Sequence, residues 1–376
     1  MKTLAIIGST GSIGLSSLNI YKKNKKKFRL IFLAANTNLK KLKQQSLIYR
    51  PKKYFLLNNN GKYNYNKKFI SLEKALIYEK KKIDFIISGM SGYDALSINC
   101  KLAKISKNLL IANKETLICG GKFFLNFAKK QKCNVIPIDS EHFSLFHFFQ
   151  NSNFKSKIDK VYLIASGGPF FNKKKIRYDE KISNVLRHPN WKMGKKITID
   201  SSNFANKVLE LFEAKILFNI PSSKIKIMVE QTSNAHALIK LKNNFLFPII
   251  HYPSMKFSIS NALNLDSNIR TNINNLNLNF IKPDVKKFPI IKLGYDILNK
   301  YDHAAMILFT VFNEDLVKKF IDNKIKYGDI AGILLKLFSK KNIKNKLNTK
   351  INNLKDVMNL IEYGKKITKY ENKIYF

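Results

Sequence analysis

Asp139 and Glu141, two carboxylates two positions apart in the run Ile138-Asp139-Ser140-Glu141-His142, are the residues whose type and spacing speak most directly of chemistry. The largely β-branched run Asn134 to Ile138 reads as a strand. On an extended backbone positions i and i+2 project to one side, so the two acids can grip one object together. Like charges held that close repel unless a cation lies between them or one takes up a proton. Oxygen ligands favour Mg²⁺ or Mn²⁺, whereas zinc normally brings His or Cys. The plainer reading is a polar turn capping a helix that begins near His142, and these five residues alone leave both open.

The elements that must position such a pair can be read upstream. Leu4 to Ile7 is a short buried strand, followed by Gly8-Ser9-Thr10-Gly11-Ser12-Ile13-Gly14 and a helix to about Lys23. Glycines at this spacing let the backbone approach a ligand, and hydroxyls at a helix start favour a phosphate; alone, the pattern is also that of an ordinary tight turn. The second strand, Arg29 to Ala34, runs into Ala35-Asn36-Thr37-Asn38, without the acid that would meet the free ribose hydroxyl of NAD. Lys40 and Lys41 follow, which points to NADP. Further strands at Tyr54–Leu57, Asp84–Ile87, Leu109–Ala112 and Asn134–Ile138 are separated by helical patterns such as Tyr93–Lys104 and Phe123–Lys132. This alternation reads as a parallel, doubly wound sheet. The groups Gly8–Gly14, Asn36–Asn38, Gly89–Gly92, Asn113–Glu115 and Asp139–Glu141 all fall just past strand ends, the edge on which such sheets bind ligands.

Past about Gln150 the character changes. A strand at Lys160–Ile164 runs into the tight turn Ala165–Phe170, and a basic loop ends in His188-Pro189-Asn190-Trp191-Lys192-Met193-Gly194, which holds the only Trp. A strand is expected at Lys196–Ile199, with Asp200-Ser201 capping a helix to about Leu217. On it Asn203, Asn206, Lys207 and Glu210 share one face. Leu209, Leu211 and Phe212 imply that the helix is largely buried, so a polar stripe there needs an occupant. Ser201, Asn206 and Lys207 offer hydroxyl, amide and ammonium donors that would suit a phosphate, and Glu210, one turn on, could supply a third carboxylate to the metal; the plainer reading of the stripe is a solvated polar face. Strands at Ile225–Val229, Ala237–Lys242 and Asn244–Ile250 are expected to complete a mixed or antiparallel sheet with Lys160–Ile164. Asn264–Leu278 reads as a connector. Helices follow at Lys292–Asn299, His303–Phe312, Glu314–Phe320, Tyr327–Phe338 and Leu354–Tyr370, with Lys340–Lys350 as a basic linker.

At 376 residues the chain should form two or three domains. Its net charge of +43 would suit nucleic acid or an anionic membrane surface, but the lysines are dispersed through every element. That dispersal reads as compositional drift, with no specific nucleic acid or membrane partner expected. Cys100, Cys119 and Cys133 have no metal-type spacing and suggest reduced thiols in the cytoplasm. Met1 to Ile7 runs directly into a strand, so no signal or transit peptide is expected. Ala304–Phe312, the most apolar stretch, is too short to span a bilayer.

With these motifs laid out, the blocks Gly8–Gly14, Ala112–Glu115, Pro137–His142, Ala165–Phe170, His188–Gly194 and Asp200–Glu213 resemble the 1-deoxy-D-xylulose 5-phosphate reductoisomerase family over nearly the whole chain. Weaker echoes lie at Ser233 with His236, Pro253 with Met255, and Asn313-Glu314. The resemblance implies a homodimeric, cytoplasmic enzyme that isomerises and reduces a phosphorylated sugar with NADPH and Mg²⁺ or Mn²⁺. It implies an α/β architecture: a Rossmann-like NADPH domain over 1–148, a central α+β catalytic and dimerisation domain over 149–285 with a lid loop near 183–196, and a C-terminal helical domain over 286–376. By the same resemblance Asp139, Glu141 and Glu210 would bind the metal, and Lys114 and Ser140 the substrate hydroxyls, with Lys114 stabilising developing negative charge. Ser166, Ser201, Asn206 and Lys207 would bind the substrate phosphate and His188 would close over it, so that Lys114, His188 and Glu210 form the catalytic set. Thr10, Gly11, Ser12, Ile13, Asn36, Asn38, Asn113, Glu115 and Gly194 would hold NADPH. The sequence departs from the family pattern at Glu230-Gln231-Thr232-Ser233, where His-Pro-Gln-Ser is usual. It departs also at Asn36 for Gly, Thr37 for a basic residue, Phe143 for Asn and Val208 for Gly.

Overall fold

The chain alternates strand and helix from its first residues: β1 (Lys2–Ile7), α1 (Ser12–Lys23), β2 (Phe28–Ala35), α2 (Leu39–Tyr49), β3 (Lys53–Leu56), α3 (Leu72–Tyr78), β4 (Ile83–Ser88), α4 (Ala95–Ile105), β5 (Ser106–Ile111), α5 (Lys114–Lys130) and β6 (Asn134–Pro137), followed by α6 (Ser140–Gln150). The computed structural model describes residues 1–150, 154–191, 193–266 and 276–371. Two compact units are present. The first is built on Met1–Thr116, Phe124–Phe143 and a stretch beginning at Ser254, and the second on Leu117–Phe123, Ser144–Pro253 and the C-terminal helices.

In the first unit six parallel strands run in the order β3-β2-β1-β4-β5-β6. Leu4, Ala5, Ile6 and Ile7 of β1 are fully buried, as a strand covered on both faces requires. The order reverses between β1 and β4, and in open sheets of this kind ligands bind at the carboxyl ends beside that reversal. There the backbones of two loops meet. Gly89 N donates to Ile7 O at 2.8 Å, and a Cβ on Gly8, whose φ is +81°, would lie 2.7 Å from Gly89 O. Only glycine fits Gly8.

The second unit holds a four-stranded mixed sheet in the order β10-β9-β7-β8, built from β7 (Ile158–Ala165), β8 (Ile225–Val229), β9 (Ala235–Leu241) and β10 (Leu246–Ile250). β7 and β8 are parallel, and the other two pairings are antiparallel. Between β7 and β8 come α7 (Ile182–Val185), α8 (Lys195–Ser202) and α9 (Ala205–Phe218); α10 (Met255–Ala262) packs against α1 in the first unit. The C-terminal helices are α11 (Pro289–Lys300), α12 (His303–Ile321), α13 (Tyr327–Ser339), α14 (Lys341–Leu347) and α15 (Leu354–Glu371). Lys192 of the expected lid loop and residues 267–275 of the expected connector lie outside the described residues.

Local expectations are corrected at three places along the chain. Lys196–Ile199 is helical, not a strand: Thr198 Oγ1 donates to Gly194 O and Lys196 pairs with Asp200 at 2.9 Å, both one turn apart. A short β-branched run carries no periodicity to tell the two apart. Asp200-Ser201 therefore ends α8 and does not cap α9. The chain turns at Phe204, whose φ is +68°, and Asn203 Oδ1 accepts from Ala205 N, which removes Asn203 from the α9 face. His303–Phe312 and Glu314–Phe320 are one helix, within which buried Asn313 donates from Nδ2 to Asp200 Oδ1 at 2.9 Å. Finally, Lys340–Lys350 is not a plain linker, since α14 buries Ile343 and Leu347 there.

Candidate active site

Apart from Gly194, which belongs to the second unit, the expected cofactor residues lie at the carboxyl edge of the first unit's sheet. Gly11 is the N-cap of α1 and offers no side-chain cap, so the first-turn amides of this 12-residue helix keep their capacity for an anion. Neither α1 nor α2 has an acid in its first turn. Asn38 caps α2 by accepting from Lys41 N at 3.0 Å, and Lys41 Nζ donates to Thr10 O at 2.9 Å, tying the end of β2 to the glycine loop. Exposed Ser12 and half-buried Ile13 begin α1, and Asn36 is exposed at the end of β2. Asn113 caps α5 through Thr116 N and donates from Nδ2 to Glu115 Oε2 at 2.9 Å and to Gly92 O at 3.1 Å.

Asp139 lies between β6 and α6, so the acids sit at a strand-to-helix junction and not along an extended strand. Asp139 Oδ1 accepts from Glu141 N at 3.2 Å and from His142 N at 3.4 Å, as a helix cap does. The plainer reading of this motif thus holds alongside the chemical one. Burial would raise the Asp139 carboxyl, but the Lys114 ammonium and the His142 ring, 3.1 Å from Oδ1, hold it well below the usual carboxylate range. Ser140 Oγ donates to Glu141 Oε2 at 2.5 Å. Asp139 and Glu141 offer the first unit's carboxylates and Glu210 the second's, and oxygen ligands of this kind suit Mg²⁺ or Mn²⁺ better than zinc.

The second unit gathers the expected phosphate residues near the end of β7. Ser166 Oγ lies 2.9 Å from His188 Nε2. His188 Nδ1 accepts from Asn190 N and Trp191 N at 3.2 and 3.0 Å, so the ring's proton is on Nε2. Ser201 O would lie 2.9 Å from a Cβ on Gly168, whose φ is +67°, so the end of α8 packs directly on the turn after β7. Glu210, fully buried, is held by Asn206 Nδ2 at 2.6 Å and by Lys207 Nζ at 2.5 Å; Lys207 Nζ also donates to Ile164 O at 2.7 Å. Gly194 is the N-cap of α8. Two residues named in the sequence without a role of their own turn out to hold the surrounding loops. Asn190 anchors its loop by donating to Gln231 O and Ser233 Oγ, at 2.6 and 2.8 Å, and its place two residues after His188 was the available signal. Glu230, where His is usual, accepts from Thr232 N, Thr232 Oγ1 and Asn234 N and stiffens the turn between β8 and β9.

Burial, and then the positive charge of Lys207, push His188 down to about 4 from 6.5. Between those values the unfolded chain binds the extra proton, so stability is full above 6.5 and falls as pH drops towards 4. Urea midpoints should decline across that window in the natural chain and decline less in His188→Gln. Equal declines would show that His188 is not held neutral.

Three family models match the chain. That of the 1-deoxy-D-xylulose 5-phosphate reductoisomerase covers residues 4–121, its C-terminal domain 135–218, and the DXP reductoisomerase C-terminal domain 250–367. The 1-deoxy-D-xylulose 5-phosphate reductoisomerase of Pelagibacter ubique is 36% identical, with 96% of this chain and 97% of the relative covered. That of Buchnera aphidicola is 34% identical, over 89% and 90%. A crystal structure of DOX-P reductoisomerase with NADPH, fosmidomycin and magnesium superposes with a TM-score of 0.89 at 28% identity, covering 100% of this chain and 99% of the other. The Zymomonas mobilis reductoisomerase with NADPH gives a TM-score of 0.84 at 25% identity, with 99% of each chain covered. With relatives this similar along almost its full length, the chain belongs to the 1-deoxy-D-xylulose 5-phosphate reductoisomerase family.

Proposed function

We propose that the protein converts 1-deoxy-D-xylulose 5-phosphate to 2-C-methyl-D-erythritol 4-phosphate with NADPH and Mg²⁺ or Mn²⁺, as a cytoplasmic homodimer of three-domain subunits. The observation that carries this reading is the first unit's pair Asp139 and Glu141, whose oxygens suit a hard divalent cation, with the Lys114 ammonium already paired to Asp139; Glu210 is assigned as the third ligand. A bound cation would polarise the substrate's carbonyl and neighbouring hydroxyl for the carbon migration, and NADPH would supply the hydride that reduces the resulting aldehyde.

The chain's own groups do the rest. Lys114 stabilises negative charge developing on the substrate oxygens, and Ser140 orients a hydroxyl. Ser166, Ser201, Asn206 and Lys207 bind the phosphate, and His188 adds a neutral Nε2–H donor. The His188–Gly194 loop covers the reacting atoms and excludes water. Thr10 to Ile13, with Asn36, Asn38, Asn113, Glu115 and Gly194, hold the dinucleotide. The test of the reaction itself is product identity. ³¹P and ¹³C spectra after incubation with NADPH should show the branched polyol phosphate, and recovery of unchanged substrate would sink the proposal.

Lys41 supports the choice of NADPH over NADH, because the position where a basic residue is usual holds Thr37 and the Lys41 ammonium sits at Thr10 O. Lys41→Ala is expected to raise the NADPH Kd about tenfold, the worth of one charge-assisted contact, while leaving NADH binding unchanged. Equal losses for both dinucleotides in a titration of cofactor fluorescence would remove Lys41 from that role.

A further inference from the structure

The His188–Gly194 loop has a built seat in the second unit that the proposed chemistry does not use. Trp191 meets the ring of His236 nearly at right angles, with centroids 6.2 Å apart. Behind His236 lies His251, stacked on it with centroids 3.6 Å apart and planes 10° from parallel. Both histidines are 3% exposed. Their partners fix the protons. His236 Nε2 faces His251 O at 3.1 Å, and His251 Nδ1 faces Tyr252 O at 3.1 Å; carbonyls only accept, so both nitrogens donate. His251 Nε2, 3.0 Å from Ser144 Oγ, then accepts the serine proton. The bonds at Tyr252 O and Ser144 Oγ stop the rear ring from sliding.

We propose that His251 is a positioning residue: by backing His236 it seats Trp191 and so keeps His188 and Asn190 at Ser166 and at the turn between β8 and β9. The consequence for substrate rests on the reading of this loop as the cover over the phosphate. His251 meets Ser144, Tyr252 and His236, and none of these three is assigned to substrate, metal or cofactor.

Trp191 is the only Trp, so its emission reports this seat directly. In His251→Ala the ring behind His236 is lost. The ligand-free protein should then show red-shifted emission and lower anisotropy, and the KM for 1-deoxy-D-xylulose 5-phosphate should rise about tenfold with kcat unchanged. His251→Phe keeps a flat ring without the hydrogen bonds and should return both emission and KM towards natural values. Unchanged emission or unchanged KM in a folded His251→Ala overturns the proposal, as does a His251→Phe protein that is folded by circular dichroism yet as perturbed as the alanine variant. If His251→Ala does not fold, the emission and KM of His251→Phe decide alone. Absence of turnover in the natural chain would sink the proposed function instead, and the emission comparison, with inorganic phosphate as titrant in place of KM, would still decide the seat.

Discussion

Glu210→Gln is expected to lower kcat by about 10³-fold, the upper range for removing one preorganised charged contact. The side chain is fully buried, and each carboxylate oxygen already faces a donor, Asn206 Nδ2 at 2.6 Å and Lys207 Nζ at 2.5 Å. Glutamine keeps the shape, and its NH₂ and oxygen can be met by a turned-over Asn206 amide and by Lys207, but the charge offered to a cation is lost. The buried Lys207 ammonium loses its counter-charge and keeps neutral acceptors such as Ile164 O, which should cost about 3 kcal/mol of stability. Steady-state kinetics at saturating Mn²⁺ and urea unfolding of the same preparation check both effects. Near-natural kcat would remove Glu210 from the metal role. A lost kcat with unchanged stability would mean the Lys207 pair contributes nothing to the fold.

Lys114→Met is expected to lower kcat by about 10²-fold through loss of the ammonium that meets developing negative charge. The same change exposes a second effect. Asp139 is 8% exposed, and its carboxyl stays ionised against burial because Lys114, with His142, is beside it. A carboxyl depressed in the folded chain contributes stability above its unfolded value of 3.8, and that stability is lost as pH falls through the lower folded value. Without Lys114 the depression shrinks, so the stability gained between acid and neutral pH should narrow. Urea midpoints at the two pH values, together with kcat, test this. A full kcat would place the charge stabilisation elsewhere, and an unaltered pH difference would mean His142 alone holds Asp139.

The first sheet was legible because each strand is a short apolar run bounded by polar turns, and its ligand edge followed from where Gly8, Asn36, Asn113 and Asp139 fall. The pairing of Asn206 with Glu210 was legible too, since four residues is one helical turn. Contacts made by residues distant in sequence were not. That Lys114 neutralises Asp139, and that Asn313 within α12 donates to Asp200, depends on packing that no local pattern encodes. Local conflict explains the misread at Lys196–Ile199, where β-branched residues favour a strand but Thr198 finds its hydroxyl acceptor only one helical turn back, at Gly194 O. The seat of Trp191 was hidden for the same reason, because His236 and His251 stand on different strands' ends and meet only through the sheet.

The most direct measurement is NADPH oxidation, followed by absorbance with 1-deoxy-D-xylulose 5-phosphate and Mn²⁺, with and without a chelator. Oxidation that requires the sugar phosphate and stops when the chelator is added is the predicted result. Oxidation that continues unchanged in the chelator would contradict a metal-dependent site at Asp139, Glu141 and Glu210, and would point to a simple dehydrogenase. No oxidation by a folded protein would contradict the proposed reaction.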